Sequence, residues 1–413
     1  MKRYWRHSTW VVVMMMAALP AFIVNAGEPP VKKNISLTPT QRKMCDRNTD
    51  FACNLFRTVT KSKQGNSSTI LSPVSVSYLL GMLNEGADGN TRQQISDVLG
   101  LGDDVLETNK YFKKLIDEAP LVDAKATVKI ANLITVNSAR GINLIQQYQY
   151  DMQKYYKAKA DALDFGSGNS LDYINNWCNS HTNGMIPSIL NRLDMEACMY
   201  LLNAVYFKAS WTHKFDPEAT RDRTFTKQNG STVMLPMMHR KGNASYGENG
   251  LYKMLCMPYG SNGYSMYVLL PHNGNTIDDI IQDLSAQTLK EEQHEMSNRE
   301  VDILMPRFTT TSETYLEDAL SSMGMPLTFN KMLAEFPNMA NCSDLYVSMM
   351  KQRAKIEVNE EGTKAAAVTV SAMTNRSMSI GSICTFHATK PFVYYIVENS
   401  TGTIFFMGTY CGD

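Results

Sequence analysis

The sequence from Arg353 to Phe386 reads RAKIEVNEEGTKAAAVTVSAMTNRSMSIGSICTF, and its character changes twice. The residues from Ala354 to Val358 alternate between apolar and charged side chains, which is the pattern of a half-buried strand. Two acids and a glycine, Glu360-Glu361-Gly362, end this alternation. Small and β-branched residues follow from Thr363 to Thr374. Because this second run has strand propensity and no proline, it predicts a segment that is able to become a strand.

The two faces of the second run differ in chemistry. Alternate residues of a strand point to opposite sides. The odd positions from Thr363 to Ser371 carry only small, uncharged side chains, and the charged Lys364 falls on the opposite face. Such a segment fits between two existing strands at little steric cost. The polar tip Asn375-Arg376-Ser377 follows it and is predicted to be exposed.

The residues around Gly362 resemble the hinge of the serpin family, whose reactive-centre loop inserts into the protein's own central sheet. The resemblance rests on the run from Val358 to Ala367. The hinge residues that it implies are Glu360, Glu361, Gly362, Thr363, Ala365, Ala366 and Ala367.

Two further segments are similar to family landmarks. Ser72 and Ser75 stand in LSPVSVS, which resembles the shutter at the start of the second helix. The run from Asn203 to Trp211 matches the central strand and the breach, where the hinge enters the sheet. The family often carries a histidine ten residues before the hinge glycine, and this chain has Gln352 there. Since an amide both donates and accepts, we expect altered resistance to sheet opening and retained function.

The resemblance implies an α+β serpin fold. This fold has a large central β-sheet, two further sheets, surrounding helices and an exposed reactive-centre loop at about residues 360–384. We expect a single domain over 44–413, after a polar, loose lead-in at 27–43.

The first 26 residues have the pattern of a secretory signal peptide. A basic start precedes an apolar run from Trp10 to Val24, and small residues precede a cleavage site near Ala26. The apolar run is shorter than the roughly 20 residues that span a bilayer. The chain is therefore predicted to be secreted to the extracellular space, or to the periplasm in a bacterium, with no membrane association after signal removal.

Local patterns predict several element boundaries. A helix is expected at 50–59, and the second helix begins with Ser72 as its cap and Pro73 in its first turn. A capping box is expected at 91–94, single helices at 277–289 and 314–323, and a buried central strand at 198–207. Glycine-punctuated strands are expected at 232–238, 251–257 and 264–270.

Composition and motifs exclude several functions. Lys plus Arg and Asp plus Glu both number 40, and removing the signal leaves 37 cations against 40 acids, so no basic field is available for nucleic acid. The eight cysteines contain no C-x-x-C pair, so no metal site or cofactor is expected. The spacing of the cysteines neither predicts nor excludes disulfide bonds between them. Nucleophile-elbow, zinc-protease and phosphate-loop motifs are absent from the sequence. Cys384 and His387 would lie on opposite faces of a strand, which argues against a catalytic Cys-His pair. We expect a monomer that is not an enzyme.

The resemblance implies a metastable protein that proteases attack. In the family the cleaved bond typically follows the residue fourteen places after the hinge glycine, which gives Arg376-Ser377. An arginine before the bond suits trypsin-like proteases, whereas the alternative bond Met378-Ser379 suits chymotrypsin- or elastase-like enzymes.

Two functions follow from this resemblance. One is an irreversible suicide-substrate inhibitor of serine endopeptidases, with a covalent acyl-enzyme complex; cysteine proteases remain open as targets. The alternative is a non-inhibitory carrier, chaperone or storage protein of the same fold. The small residues on the inserting face favour inhibition.

Overall fold

The computed structural model describes residues 33–62, 67–363 and 383–413. The predicted signal peptide, the hinge residues Ala365, Ala366 and Ala367, and both candidate cleaved bonds lie outside the described residues. The helices of the described part are α1 Pro39–Ser62, α2 Pro73–Gly86, α3 Gly89–Leu99, α4 Val105–Glu118, α5 Gln146–Tyr156, α6 Gly168–His181, α7 Ile277–Asp283, α8 Ala286–Glu295 and α9 Glu317–Met323.

Helices and mixed sheets together confirm the predicted α+β class. The strands of the described part are β1 Thr69–Leu71, β2 Ala126–Asn137, β3 Lys159–Leu163, β4 Met199–Ser210, β5 Arg221–Thr226, β6 Thr232–Glu248, β7 Tyr252–Tyr259, β8 Tyr264–Pro271, β9 Ser297–Pro306, β10 Phe308–Tyr315, β11 Met349–Asn359, β12 Gly362–Thr363, β13 Cys384–His387, β14 Phe392–Glu398 and β15 Ile404–Tyr410.

The central sheet has the strand order β10-β11-β12-β4-β2-β3. Strand β4 confirms the predicted buried central strand. One of its faces packs in the main core through Leu201, Val205 and Phe207. Its other face packs under α6 in a smaller core that contains Tyr200 and Trp177. Because both faces are covered, the strand is apolar almost throughout.

The remaining strands form one continuous hydrogen-bonded path, β1-β15-β14-β8-β7-β6-β9-β13, with β5 paired to β6. The 17-residue strand β6 pairs with strands on both of its sides, so the two further sheets that were predicted are continuous with each other. Strand β9 lies along one side of it, while β5 and β7 pair with its two ends on the other side. The prediction of a strand at 232–238 found only the first part of β6.

The predicted lead-in, residues 27–43, overlaps the first turns of helix α1. Helix α1 begins at Pro39, not near residue 50. The Gln41 backbone N–H donates to Thr38 Oγ1 at 3.2 Å, and the Thr38 N–H donates to Gln41 Oε1 at 3.1 Å. This reciprocal pair is a capping box followed by proline in the first turn, so the start of α1 is encoded locally in the sequence.

The predicted capping box at 91–94 is wrong, because tertiary contacts use both side chains. Helix α3 begins earlier, at Gly89. Thr91 Oγ1 accepts a hydrogen bond from the Glu335 N–H, and Gln94 Oε1 accepts one from the Leu327 N–H. Both polar groups therefore fasten the segment that follows α9.

Three other local predictions also differ. The helix predicted at 277–289 is two helices, because Ser285 caps a new helix by accepting from the Thr288 N–H at 3.0 Å. The helix predicted at 314–323 begins only at Glu317, since β10 continues to Tyr315 in its pairing with β11. Ser72 is the cap residue of α2, but its side chain makes no capping hydrogen bond.

Candidate functional site

The first residues of the predicted loop are buried inside the central sheet, and are not exposed. Strand β12 lies between β11 and β4: Thr363 is paired with Val358 on one side and with Ala209 on the other. Its exposed fraction is only 1%. We call this position the hinge seat. It means that the strand-competent run has already entered the sheet by its first residue, Thr363, together with the preceding Gly362.

Beyond the hinge seat the sheet is closed. Strands β11 and β4 pair directly in parallel over six residue pairs, from Met349–Tyr200 to Ala354–Val205. Each pair is separated by 149 positions in sequence, and Val358 and Ala209, which flank Thr363, have the same separation. The register between β11 and β4 is therefore the same where they pair directly and where they flank Thr363. For β12 to become longer, β11 and β4 have to separate, but neither strand has to slide along the other.

The backbone at Gly362 admits no side chain. Its φ is +146°, which disfavours residues that carry a Cβ. A Cβ at this position would overlap the carbonyl oxygen of Ala209 and lie 2.6 Å from Ser210 Cα. The predicted hinge glycine is therefore a steric requirement of the hinge seat.

Glu360 fastens the base of the hinge. Its carboxylate accepts hydrogen bonds from Arg307 at 2.5 and 3.1 Å and from Thr220 Oγ1 at 2.7 Å, and its side chain is 7% exposed. Burial raises the pKa of Glu360, but these hydrogen bonds and the Arg307 charge outweigh it and hold the pKa below its ordinary value. Glu360 is thus kept charged at neutral pH.

Trp211 and Tyr259 close the hinge seat from the core side. The two rings stack with centroids 4.3 Å apart, and Trp211 Nε1 donates to the Asn359 carbonyl at 2.9 Å. Tyr259 Oη lies 2.8 Å from Thr363 Oγ1, within hydrogen-bond distance. Nearby, Glu361 is paired with Lys214 at 2.5 Å. The predicted breach residue Trp211 therefore supports the hinge directly.

The predicted shutter residues meet where β11 and β4 are closed. Gln352 and Asn203 are register partners, and Gln352 Nε2 donates to Asn203 Oδ1 at 2.9 Å. Gln352 Oε1 accepts from the Ser72 N–H at 2.7 Å, while Nε2 also lies 2.9 Å from Ser75 Oγ. Ser75 Oγ lies 2.7 Å from the same Asn203 oxygen. Gln352 thus connects β11, β4 and α2 in one buried network, as its amide chemistry predicts.

The predicted site residues that lie in the described part of the chain form two groups, the hinge seat and the shutter. The sequence reasoning did not select several partners as site residues, namely Tyr259, Arg307, Thr220, Lys214 and Asn132. None of these five residues lies in the hinge, shutter or breach segments that carry the family resemblance. Tyr259 and Asn132 lie on strands remote from those segments in the chain. Asn132 extends the shutter, since its Oδ1 accepts from Asn203 Nδ2 at 2.8 Å.

Metal-binding clusters and membrane-spanning helices are absent from the described part of the chain. It contains no group of three or more His, Cys, Asp or Glu side chains that would hold a metal ion. The described residues include Cys45, Cys53, Cys178, Cys198, Cys256, Cys342 and Cys384 as free thiols. No helix among the described residues is long and apolar enough to cross a membrane.

Comparisons with known proteins agree with this geometry. The family model described as Serpin (serine protease inhibitor) matches residues 46–412. Human neuroserpin is 30% identical over 374 residues, which cover 87% of this chain and 89% of neuroserpin. The native thermophilic serpin tengpin superimposes with a TM-score of 0.82 at 29% identity, covering 94% of this chain and 97% of tengpin. Human thyroxine-binding globulin in complex with its hormone gives a TM-score of 0.82 at 26% identity, covering 90% and 98%. The chain belongs to the serpin family.

Proposed function

We propose that this chain is an irreversible suicide-substrate inhibitor of serine endopeptidases, with trypsin-like enzymes as its targets. The observation that carries the proposal is the hinge seat, where Gly362 and Thr363 already occupy the register of a strand inserted between β11 and β4. The description of the matching family model supports protease inhibition. The covalent partner is the target protease.

The chemistry begins at the bond Arg376-Ser377. The protease serine oxygen bonds to the Arg376 carbonyl carbon, and the serine proton is transferred to the departing nitrogen of Ser377. The products are an acyl-enzyme ester on Arg376 and a free amine on Ser377. Cleavage at Met378 instead would direct the protein to chymotrypsin- or elastase-like enzymes. A cysteine protease would form the equivalent thioester.

After cleavage, the freed segment extends β12. Continuing the observed register places Ala365 between Ile356 and Phe207, and Thr369 between Gln352 and Asn203. The odd positions then face the core as Thr363 does, and their small side chains meet no steric barrier. Insertion thus replaces the Gln352–Asn203 hydrogen bond in the shutter.

The free energy favours insertion. The six direct β11–β4 pairs would part, and one new strand would pair with both neighbours. Each added backbone hydrogen bond contributes about 1 kcal/mol net, and buried methyl groups contribute about 0.8 kcal/mol each. The intact protein is therefore metastable, and its lifetime is set by the barrier to opening the sheet. Movement of the tethered protease distorts its active site, so the ester persists.

A non-inhibitory carrier is the second candidate function. The thyroxine-binding globulin neighbour favours it, as does a cavity of about 410 Å³ lined by residues of α1, α8, β14 and β15. The hinge argues against it, because a carrier has no need for a glycine and small residues that fit between two strands. Inhibition is the better-supported function.

Replacing Thr363 by arginine tests the inhibitor proposal. Thr363 is buried between two strands and against Tyr259, so a long charged side chain would block insertion there. The T363R protein is expected to be cleaved as a substrate without forming an SDS-stable complex. The matched control T363S keeps the small hydroxyl and should still form the complex. Unchanged inhibition by T363R would contradict the insertion mechanism.

Export is part of the proposal. The N-terminal pattern supports removal of residues 1–26 and release to the extracellular space or the periplasm. N-terminal sequencing of the protein from its source should give Gly27 as the first residue. An intact Met1 in the mature protein would contradict this.

A further inference from the structure

Two histidines from different strands share one carboxylate at the edge of the larger sheet. His239 Nε2 on β6 lies 2.7 Å from Asp302 Oδ1 on β9, and His387 Nε2 on β13 lies 3.0 Å from Asp302 Oδ2. The three side chains are 41%, 31% and 40% exposed, respectively. We call these three residues the histidine clamp. It connects three adjacent strands across their outer surface.

Strand β13 is held by a small number of other contacts. It is a four-residue edge strand, paired only with β9 among the described residues. Phe386 is buried, the Ala388 N–H donates to the Leu304 carbonyl at 2.8 Å, and Lys253 Nζ donates to the Thr385 carbonyl at 3.0 Å. The clamp adds two side-chain contacts to this pairing on the outer surface of the sheet.

The position of β13 in the chain gives the clamp its significance. The strand follows the 364–382 segment, whose other end enters the hinge seat at Thr363. An uncleaved chain can lengthen β12 only as far as its fixed C-terminal end allows. If β13 leaves β9, that end becomes slack, and the intact loop is free to insert without a protease.

We infer that Asp302, His239 and His387 act as positioning residues that fasten β13, and with it the C-terminal end of the reactive loop, in a pH-dependent manner. The consequence for the loop rests on the proposed inhibitory function. The fastening of β13 does not.

The charges around the clamp define its pH window. Burial raises the pKa of Asp302, but hydrogen bonds from both imidazoles and their charges outweigh it, so the pKa lies below its ordinary value. The carboxylate therefore contributes above the ordinary carboxyl range, and this contribution is lost as pH falls through the lowered pKa. Histidines in general lose their charge between about pH 5 and 8. The clamp is strongest in weak acid and weakens toward alkaline pH.

Neighbouring charged groups do not provide the same response. Lys241 on β6 is the register partner of Asp302 and is paired with Glu300 at 3.7 Å. Lys253 approaches from β7. Lys390 follows β13 and donates to the His272 carbonyl. Lysine and glutamate side chains ordinarily titrate outside the range from about pH 5 to 8.

Hydrogen exchange of the β13 amides in the full mature protein tests the clamp. After correction for intrinsic exchange rates, protection at about pH 5.5 should exceed that at about pH 7.5 by about threefold or more, the effect of two exposed ion pairs. In D302N this pH dependence should disappear, and D302E should restore part of it. H294Q changes an exposed histidine on α8 and should behave as the wild type.

The outcomes separate the clamp from the proposed function. The same pH dependence in D302N as in the wild type, or none in the wild type, would overturn the inference. If D302N does not fold, H387Q replaces it in this test, because the loss of the His387 imidazole should also weaken the pH dependence of exchange. In parallel, the wild type should lose its capacity to form protease complexes faster at pH 7.5 than at pH 5.5. A protein that forms no complex at either pH, yet shows the exchange effect, would retain the clamp and lose the proposed function.

Discussion

Replacing Gln352 by alanine perturbs the shutter most directly, because its amide joins the two strands that must part. The substitution removes the hydrogen bond to Asn203 Oδ1 at 2.9 Å, the contact with Ser75 Oγ at 2.9 Å and the acceptor for the Ser72 N–H at 2.7 Å. The Asn203 bond lies between the strands, so it is lost on insertion in the wild type as well. Alanine therefore destabilises the closed sheet more than the inserted one.

The magnitude follows from the contacts between the strands. One buried hydrogen bond contributes about 1 kcal/mol net, and a partner left unpaired raises the cost to about 2 kcal/mol. A barrier lowered by about 1 to 2 kcal/mol speeds opening by about five- to thirtyfold. The Q352A protein should lose its capacity to inhibit correspondingly faster on incubation, while its initial rate of complex formation stays close to that of the wild type.

The assay measures the half-time for loss of SDS-stable complex formation at a fixed temperature. Q352H restores a donor and an acceptor and should bring the half-time back toward the wild-type value. N109A is the matched control, since Asn109 makes a buried hydrogen bond with Tyr156 and a partly buried one with Glu85, away from the β11–β4 pair. An unchanged half-time in Q352A, or equal effects of Q352A and N109A, would refute this account of the shutter.

Two further substitutions test the base of the hinge and the cleaved bond. R307M removes the partner of Glu360. Because the pKa of Glu360 is lowered, the stability that its carboxylate contributes is present above the ordinary carboxyl range and is lost as pH falls through that pKa. The free energy of unfolding of the wild type should exceed that of R307M by about 1.5 to 3 kcal/mol at neutral pH, and urea titrations should show that this difference closes in acid. A constant difference across pH would contradict this. R376M should lower the rate of trypsin inhibition at least about tenfold and leave the hinge intact, because the acidic specificity pocket loses its charged partner; unchanged trypsin kinetics would move the bond away from Arg376.

The hinge and the shutter residues were predicted from the resemblance to the serpin family, and local chemistry supported the hinge. The acid-acid-glycine break and the small face of the following run predict insertion, and the steric crowding at Gly362 gives the physical reason for its glycine. The amide of Gln352 was expected to replace a histidine, and its four close polar contacts agree with that chemistry.

Features that depend on remote segments were beyond local patterns. The shared register of the hinge seat and the β11–β4 pairing follows from how distant strands align. Tyr259 reaches Thr363 from β7, more than 100 positions earlier in the chain. Thr91 and Gln94 form a local capping pattern, yet tertiary partners use both of them. The shared Asp302 of the two clamp histidines likewise requires three strands to be adjacent.

Mixing the mature protein with trypsin, followed by denaturing gels and mass spectrometry, decides whether the loop is cleaved and then inserts. Insertion should give an SDS-stable complex and a released C-terminal peptide that begins at Ser377. A peptide beginning at Ser379 would move the cleaved bond to Met378 and keep the mechanism. Cleavage within the loop with no complex and no gain in heat stability would contradict insertion and favour a non-inhibitory serpin.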